Sequence, residues 1–163
     1  MSVSTEPGVR APSGLDPRGP QFTAAVTAVV LAVALLVPPA AATLILGVQA
    51  VLFAVGALGG VQRTPHAWVF RRVVRPRLSP PSELEDPRPP QFAQGVGLAF
   101  TAVAFVGFLL GATVVGQVAA GLALVAALLN AVFRFCLGCE LYLVLRRLAP
   151  AAGRAASVSR TAG

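Results

Sequence analysis

Two long stretches without a charged residue constrain the fold of this chain more than any other feature. They cover residues 19–62 and 89–133, and each is long enough for two helices of about 20 residues, the length that crosses a bilayer. Pro38-Pro39 interrupts the first stretch and Gly111–Gly116 the second. Both suit hairpin corners, because proline lacks a helical N–H and glycine lowers helix stability. The sequence therefore predicts an all-α integral membrane protein whose four transmembrane helices are Gln21–Val37, Ala40–Leu58, Phe92–Leu110 and Val114–Phe133.

The composition supports a membrane protein and argues against nucleic-acid binding. Only 12% of the residues are charged and 56% are hydrophobic, whereas about a quarter of an average soluble domain is charged. The sequence pI is about 11.5, but the arginines flank the apolar stretches, and only Trp68 and Phe70 interleave with them. Membrane orientation explains the arginines better than a nucleic-acid partner does.

A short motif occurs twice, each time immediately before an apolar stretch. Residues 16–22 read DPRGPQF and residues 86–92 read DPRPPQF, with six of seven positions identical. This predicts two tandem helical hairpins, repeat 1 over about 16–78 and repeat 2 over about 86–148. Each repeat has an even number of spans, so the two are expected to be parallel rather than inverted.

The arginines predict the orientation in the membrane. All 13 basic residues are arginine, and none lies at either hairpin corner. The positive-inside rule then places both termini and the central loop in the cytoplasm. The expected location is a bacterial cell (inner) membrane, crossed several times.

The segments after each hairpin are expected to be short interfacial helices. Thr64 and Pro65 suit the first positions of a helix, and apolar residues then alternate with arginines, as in a helix lying on a membrane surface. Residues 136–147 have a similar character, although one long fourth helix continuing to Arg147 is the alternative. Residues 1–15 are predicted to be a disordered tail and residues 149–163 a flexible one, flanking a membrane domain at 16–148.

The two cysteines of the chain form a C-x-x-C motif after the fourth span. Cys136 and Cys139 are suitably spaced for a redox-active disulfide or for half of a tetrahedral metal site. Arg134 favours a thiolate, and Gly138 permits close approach of a partner's backbone or sulfur. Glu140 is a candidate proton acceptor, or else a solvated acid in a first helical turn. The cysteines could instead simply pack as small apolar residues.

Two other polar residues are weaker candidates. His66 is the sole histidine. It is a candidate proton acceptor or metal ligand, but a histidine in a first helical turn is more often an interfacial polar group. Asn130 lies in a predicted span and is expected to form an interhelical hydrogen bond. The predicted spans contain no Asp, Glu, Lys or Arg, which disfavours an ion or proton carrier.

Three stretches together resemble a known family. They are the second DPRxPQF motif, the segment FRFCLGCELY at 133–142 and the RPRL stretch at 75–78. The chain resembles the small actinobacterial membrane proteins grouped as domain-of-unknown-function family 4395, over roughly Asp16–Leu148. Members of that family are often encoded beside thioredoxin-like proteins and thiosulfate sulfurtransferases. The resemblance thus implies thiol or sulfur chemistry at Cys136 and Cys139.

Two functions of different classes follow as hypotheses. In the first, the protein exchanges thiols, disulfides or persulfides with a cytoplasmic thioredoxin-like or sulfurtransferase protein through Cys136 and Cys139. With a single cysteine pair, it would need a partner or a quinone for further electron transfer. In the second, it is a non-enzymatic scaffold whose C-x-x-C pair binds zinc across a homodimer. No cofactor is otherwise expected, and lipid is the immediate partner.

Overall fold

The computed structural model describes residues 14–81 and 83–160, and this part of the chain is almost entirely helical. Four of its helices are long and apolar enough to cross a membrane, in agreement with the predicted all-α membrane class. The helices are α1 (Arg18–Leu36), α2 (Pro39–Gly59), α3 (Pro65–Val69), α4 (Arg88–Leu109), α5 (Thr113–Phe133) and α6 (Leu137–Arg160). The four long ones are α1, α2, α4 and α5.

The twice-occurring motif forms the same helix start in both places. The Asp16 carboxylate accepts the backbone N–H of Arg18 at 3.0 Å, and the Asp86 carboxylate accepts that of Arg88 at 2.9 Å. Each carboxylate thereby satisfies one of the amides that a first helical turn leaves without a partner. The motif thus fixes where α1 and α4 begin.

The chain turns at both predicted corners. Pro39 is the first residue of α2, where a missing N–H costs nothing. Gly111 has a φ of 76° in the turn between α4 and α5, a conformation that glycine adopts without strain.

Each half of the chain packs its first long helix against the second long helix of the other half. Helix α1 packs on α5, and α2 on α4. The Gln21 side-chain amide donates to the Ala131 carbonyl at 2.9 Å, and that of Gln91 donates to the Ala57 carbonyl at 2.8 Å. These bonds place the starts of α1 and α4 beside the ends of α5 and α2, so both hairpin corners lie at the opposite end of the bundle.

The backbones of Leu15 and Glu85 also join the two halves. Their amides and carbonyls exchange two hydrogen bonds, of 2.8 and 2.9 Å, in an isolated antiparallel bridge. Leu15 belongs to the segment predicted to be a tail, and the residues before 14 lie outside the described part of the chain.

Small residues fill the interior of the bundle, and large apolar ones face outward. The buried core residues include many alanines, together with Leu31, Leu46 and Phe108. Leu36 and Leu58 are 86% and 85% exposed, and many other valines and leucines of the long helices are exposed as well. In water so large an apolar surface would cause aggregation, whereas close packing through small residues is typical of membrane helices.

The segment after α2 is a series of short turns rather than one straight helix. The Thr64 hydroxyl accepts the Ala67 N–H at 3.3 Å, so the predicted helix start is confirmed. A π-helical turn at Phe70–Val74 and a 3-10 turn at Arg75–Arg77 follow α3. The Phe70 ring lies 5.8 Å from that of Phe22, which holds this segment against α1.

The chain breaks between α5 and α6, so the alternative of one long fourth helix is wrong. Arg134 ends α5 in the left-handed conformation, with a φ of 57°, and α6 begins at Leu137. Helix α6 packs on α4 and runs to Arg160, into the segment predicted to be a tail. The flexibility of residues 149–163 stays a prediction.

Candidate disulfide site and adjoining cavity

The two cysteines lie at the N-terminal end of α6 and are joined as a disulfide. Cys136 is the residue before the helix, and its carbonyl accepts the N–H of Glu140 at 3.0 Å. Its sulfur accepts the backbone N–H of Cys139 at 3.3 Å, in the manner of a serine or threonine that caps a helix. Both cysteines are half-buried. The C-x-x-C spacing therefore places both sulfurs at the start of one helix, one just before it and one in its first turn.

Gly138 lets this turn contact α4 closely. A methyl group added at Gly138 would lie 2.7 Å from both Cα and Cβ of Ala93, closer than any real side chain approaches. The close neighbour of Gly138 is thus the backbone of α4 in the same chain, and the approach of a partner expected from the sequence stays a prediction.

Aromatic packing holds the next turn of α6. The Tyr142 ring lies 5.7 Å from the Phe92 ring of α4, and the Arg146 guanidinium lies 6.0 Å from the centre of the Tyr142 ring. The disulfide is thus carried by a helix start that contacts α4 on two successive turns.

The start of α6 places positive partial charge beside the Cys136 sulfur. Amide groups at a helix N-terminus carry partial positive charge, and one of them already points at the Cys136 sulfur. Arg134 is two residues away and exposed. Glu140 is also exposed, in a first turn where a negative charge is favourable.

A cavity of about 500 Å³ lies between α1, α2, α4, α5 and the start of α6, and Cys136 forms part of its wall. The lining is mainly apolar, with Phe53 and Phe100 among its members. Its polar members come from three helices; they are Thr23, Thr27, Gln94 and Asn130. Sequence reasoning missed this cavity: the alanines at 123, 126 and 127 line it, but small residues in a span do not by themselves distinguish a cavity from close packing.

The Thr27 hydroxyl, at the wall of this cavity, is buried without a hydrogen-bond partner within the described part of the chain. Its residue is 3% exposed. Asn130 also lines the cavity, and the interhelical hydrogen bond predicted for it is absent from the described residues. Gln21 and Gln91 form such bonds between the long helices.

His66 is placed away from this cavity, in α3, which packs on α1. Burial lowers the pKa of His66 below its ordinary value, because desolvation disfavours the charged imidazolium. Across residues 14–81 and 83–160, no three His, Cys, Asp or Glu side chains converge as a metal site would require. His66 therefore does not join the cysteines in a metal cluster.

Comparison with known proteins gives a family for this chain. Residues 15–147 match the model of the family described as Domain of unknown function (DUF4395). The match covers all four long helices and the cysteine pair. The chain belongs to the DUF4395 family. No curated protein and no solved structure matches it. Membership of DUF4395 thus supports the resemblance noted from the sequence, and the chemistry has to be argued from the site.

Proposed function

We propose that this DUF4395 protein is a membrane-bound thiol–disulfide or persulfide exchange component that acts through Cys136 and Cys139. The observation that carries the proposal is the hydrogen bond from the Cys139 amide to the Cys136 sulfur at the start of α6. A cysteine that only packs as a small apolar residue would not be expected to be half-buried with its sulfur accepting a helix N–H. The partner we propose is a cytoplasmic thioredoxin-like or sulfurtransferase protein.

Disulfide exchange would use the two sulfurs unequally. A thiolate of the partner attacks Cys139, and Cys136 leaves as a thiolate that its amide contact and the start of α6 stabilise. A leaving thiolate that is stabilised departs faster. A second thiol of the partner then attacks the mixed disulfide, which releases the oxidised partner and leaves Cys139 as a thiol. Glu140, the next residue, is the candidate acceptor of the proton that Cys139 gives up in the reverse reaction.

Sulfur transfer would use the same thiolate. The Cys136 thiolate would attack the outer sulfur of a persulfide on a sulfurtransferase. Cys136 would then carry the persulfide, and the transferase cysteine would leave as a thiolate. The same half-buried position would protect the persulfide from water.

The arrangement in the membrane is part of the proposal. We take the two halves to be parallel hairpin repeats, because both motifs form the same helix start and both glutamines bond to the other half. The segments after α2 and α5 would lie at the interface, and the arginine-bearing helix ends would face the cytoplasm of a bacterial cell. In intact cells, a membrane-impermeant maleimide should label reduced Cys139 only after permeabilisation. Labelling from outside would overturn this orientation.

One experiment separates exchange from the scaffold alternative. The protein is purified anaerobically, free thiols are counted before and after treatment with reduced thioredoxin, and bound zinc and iron are measured. We expect two thiols to appear, and none in the C136S/C139S double variant. Stoichiometric metal without reducible sulfur would support a metal-bridged dimer instead. Thiols that are inert and carry no metal would leave only a packing role.

A further inference from the structure

We propose that the cavity beside the disulfide binds a lipid-soluble quinone, which oxidises the reduced Cys136–Cys139 pair. The inference rests on the proposed exchange function, since it supplies the step that restores the disulfide. It is carried by three features of the cavity: its volume with the groove beside it, its buried polar group and the sulfur in its wall.

The cavity and an adjoining groove together offer room for a compact head with a long apolar tail. Its volume of about 500 Å³ lies within the range of small-molecule sites. Phe100 and Leu122 also line a second apolar groove, of about 450 Å³, between α4 and α5. They are 38% and 53% exposed, so the groove opens on the face of the bundle that meets lipid. An isoprenoid tail would lie in this groove while its ring occupies the cavity.

The polar groups of the cavity suit a carbonyl oxygen. A buried hydroxyl without a hydrogen-bond partner is destabilising, so the Thr27 hydroxyl would gain by donating to an acceptor on a ligand. The Asn130 amide lines the same cavity and also carries donors. A quinone ring has two carbonyl acceptors, whereas the hydrocarbon tail of a lipid has none.

The sulfur of Cys136 in the cavity wall provides the redox partner. The Cys136 thiolate adds to the quinone ring, and a carbon–sulfur bond forms. Cys139, as a thiolate, then attacks the Cys136 sulfur. The sulfur–sulfur bond forms, the carbon–sulfur bond breaks, and its electron pair stays on the ring. The ring oxygens take up the two protons that the thiols lost, so one dithiol and one quinone give one disulfide and one quinol.

The test uses the full-length protein in detergent micelles free of quinone. The protein is reduced, separated from reductant under anaerobic conditions and mixed with a decyl-substituted benzoquinone. Loss of quinone absorbance and loss of free thiols are followed together. We expect one quinone to be consumed per protein, with the loss of both thiols, and we expect no consumption by the C136S/C139S variant.

Two cavity variants locate the site. Thr27→Val removes the unpaired hydroxyl at nearly constant shape. It should raise the quinone concentration that gives half of the maximal oxidation rate about five- to tenfold, the effect of one hydrogen bond. The matched control is Thr101→Val, because the Thr101 hydroxyl bonds to the Gly97 carbonyl and does not line the cavity; it should leave that concentration unchanged. Ala126→Phe fills the cavity and should abolish quinone consumption.

The outcomes distinguish this inference from the proposed function. If thioredoxin reduces the wild-type disulfide but quinone does not reoxidise it, the quinone site is wrong and exchange stands. Equal effects of Thr27→Val and Thr101→Val would likewise overturn the site, as would recovery of only lipid acyl chains from the cavity. If thioredoxin does not reduce the pair, the proposed function fails. Quinone consumption by wild type, with sensitivity only to the cavity variants, supports the inference.

Discussion

The backbone amide of Cys139 donates a hydrogen bond to the sulfur of Cys136 over 3.3 Å. This contact makes the two cysteines unequal although they share one helical turn. The helix start favours negative charge at both sulfurs, and Cys136 has in addition the amide contact, which favours its thiolate further. The difference can be measured in the reduced protein.

The first prediction is that Cys136 reacts faster than Cys139 with an alkylating agent. Limiting iodoacetamide is added to the reduced protein at neutral pH, and mass spectrometry of the digested chain quantifies each site. We expect roughly a tenfold preference, the effect of about 1.4 kcal/mol of differential stabilisation. In denaturant the preference should disappear. Equal reactivity in the folded protein would contradict the asymmetry.

The second prediction concerns the close contact between Gly138 and Ala93. Gly138→Ala places a methyl group 2.7 Å from Ala93, so the start of α6 has to move away from α4. We expect a loss of about 1–3 kcal/mol, seen as a lower midpoint of thermal unfolding in detergent, and altered exchange rates at the disulfide.

Gly121→Ala is the matched control for that change. A methyl group at Gly121, within α5, meets no atom inside 4 Å, so this variant should be neutral or more stable by up to about 1 kcal/mol. If Gly138→Ala were equally harmless, α6 would not depend on the contact with α4.

Much of the fold could be predicted because the signals are local and strong. The predicted span Gln21–Val37 corresponds to α1 at Arg18–Leu36, and Phe92–Leu110 to α4 at Arg88–Leu109. The structure begins both helices three or four residues earlier, where the Asp16 and Asp86 carboxylates accept the N–H groups of Arg18 and Arg88. The length of the charge-free stretches identified the spans, but it did not show that each helix begins before its stretch.

The site was only partly predictable. The spacing of the cysteines identified the pair, but the break before them depends on Arg134 in a left-handed conformation. Glycine or asparagine would have signalled such a helix end, and arginine does not. The cavity could not be foreseen because its wall combines distant residues, such as Thr27 of α1 and Cys136 before α6. Only the packing of α1 against α5 brings them together.

The third prediction is that Gln21 and Gln91 contribute similarly to stability. Each donates a hydrogen bond to a carbonyl of the other half, and hydrogen bonds between membrane helices contribute about 0.6 kcal/mol on average. Gln21→Leu and Gln91→Leu should each lower the unfolding midpoint slightly. Gln117→Leu, an exposed position of α5, should not. A loss at one glutamine alone would argue against equivalent halves.

The fourth prediction is a pH dependence of stability from His66. Since burial lowers the pKa of His66 below its ordinary 6.5, the unfolded chain binds more protons than the folded one as the pH falls through that value. Stability is therefore retained above pH 6.5 and decreases below it. The effect should be small because His66 is only half-buried. Unfolding midpoints measured in detergent between pH 7.5 and 5 should fall more steeply for wild type than for H66Q, and parallel curves would exclude His66 as the cause.

The fifth prediction separates the backbone role of Arg134 from its charge. With a φ of 57°, Arg134 occupies a conformation that glycine adopts without penalty and that costs other residues about 1–2 kcal/mol. Arg134→Gly should therefore preserve or raise stability, because it relieves this cost. It should also slow alkylation of Cys136, because it removes the positive charge that favours the thiolate. Arg134→Lys keeps the charge and the strain, so it should leave both properties near wild type. If alkylation is unchanged in the glycine variant, the start of α6 alone stabilises the Cys136 thiolate.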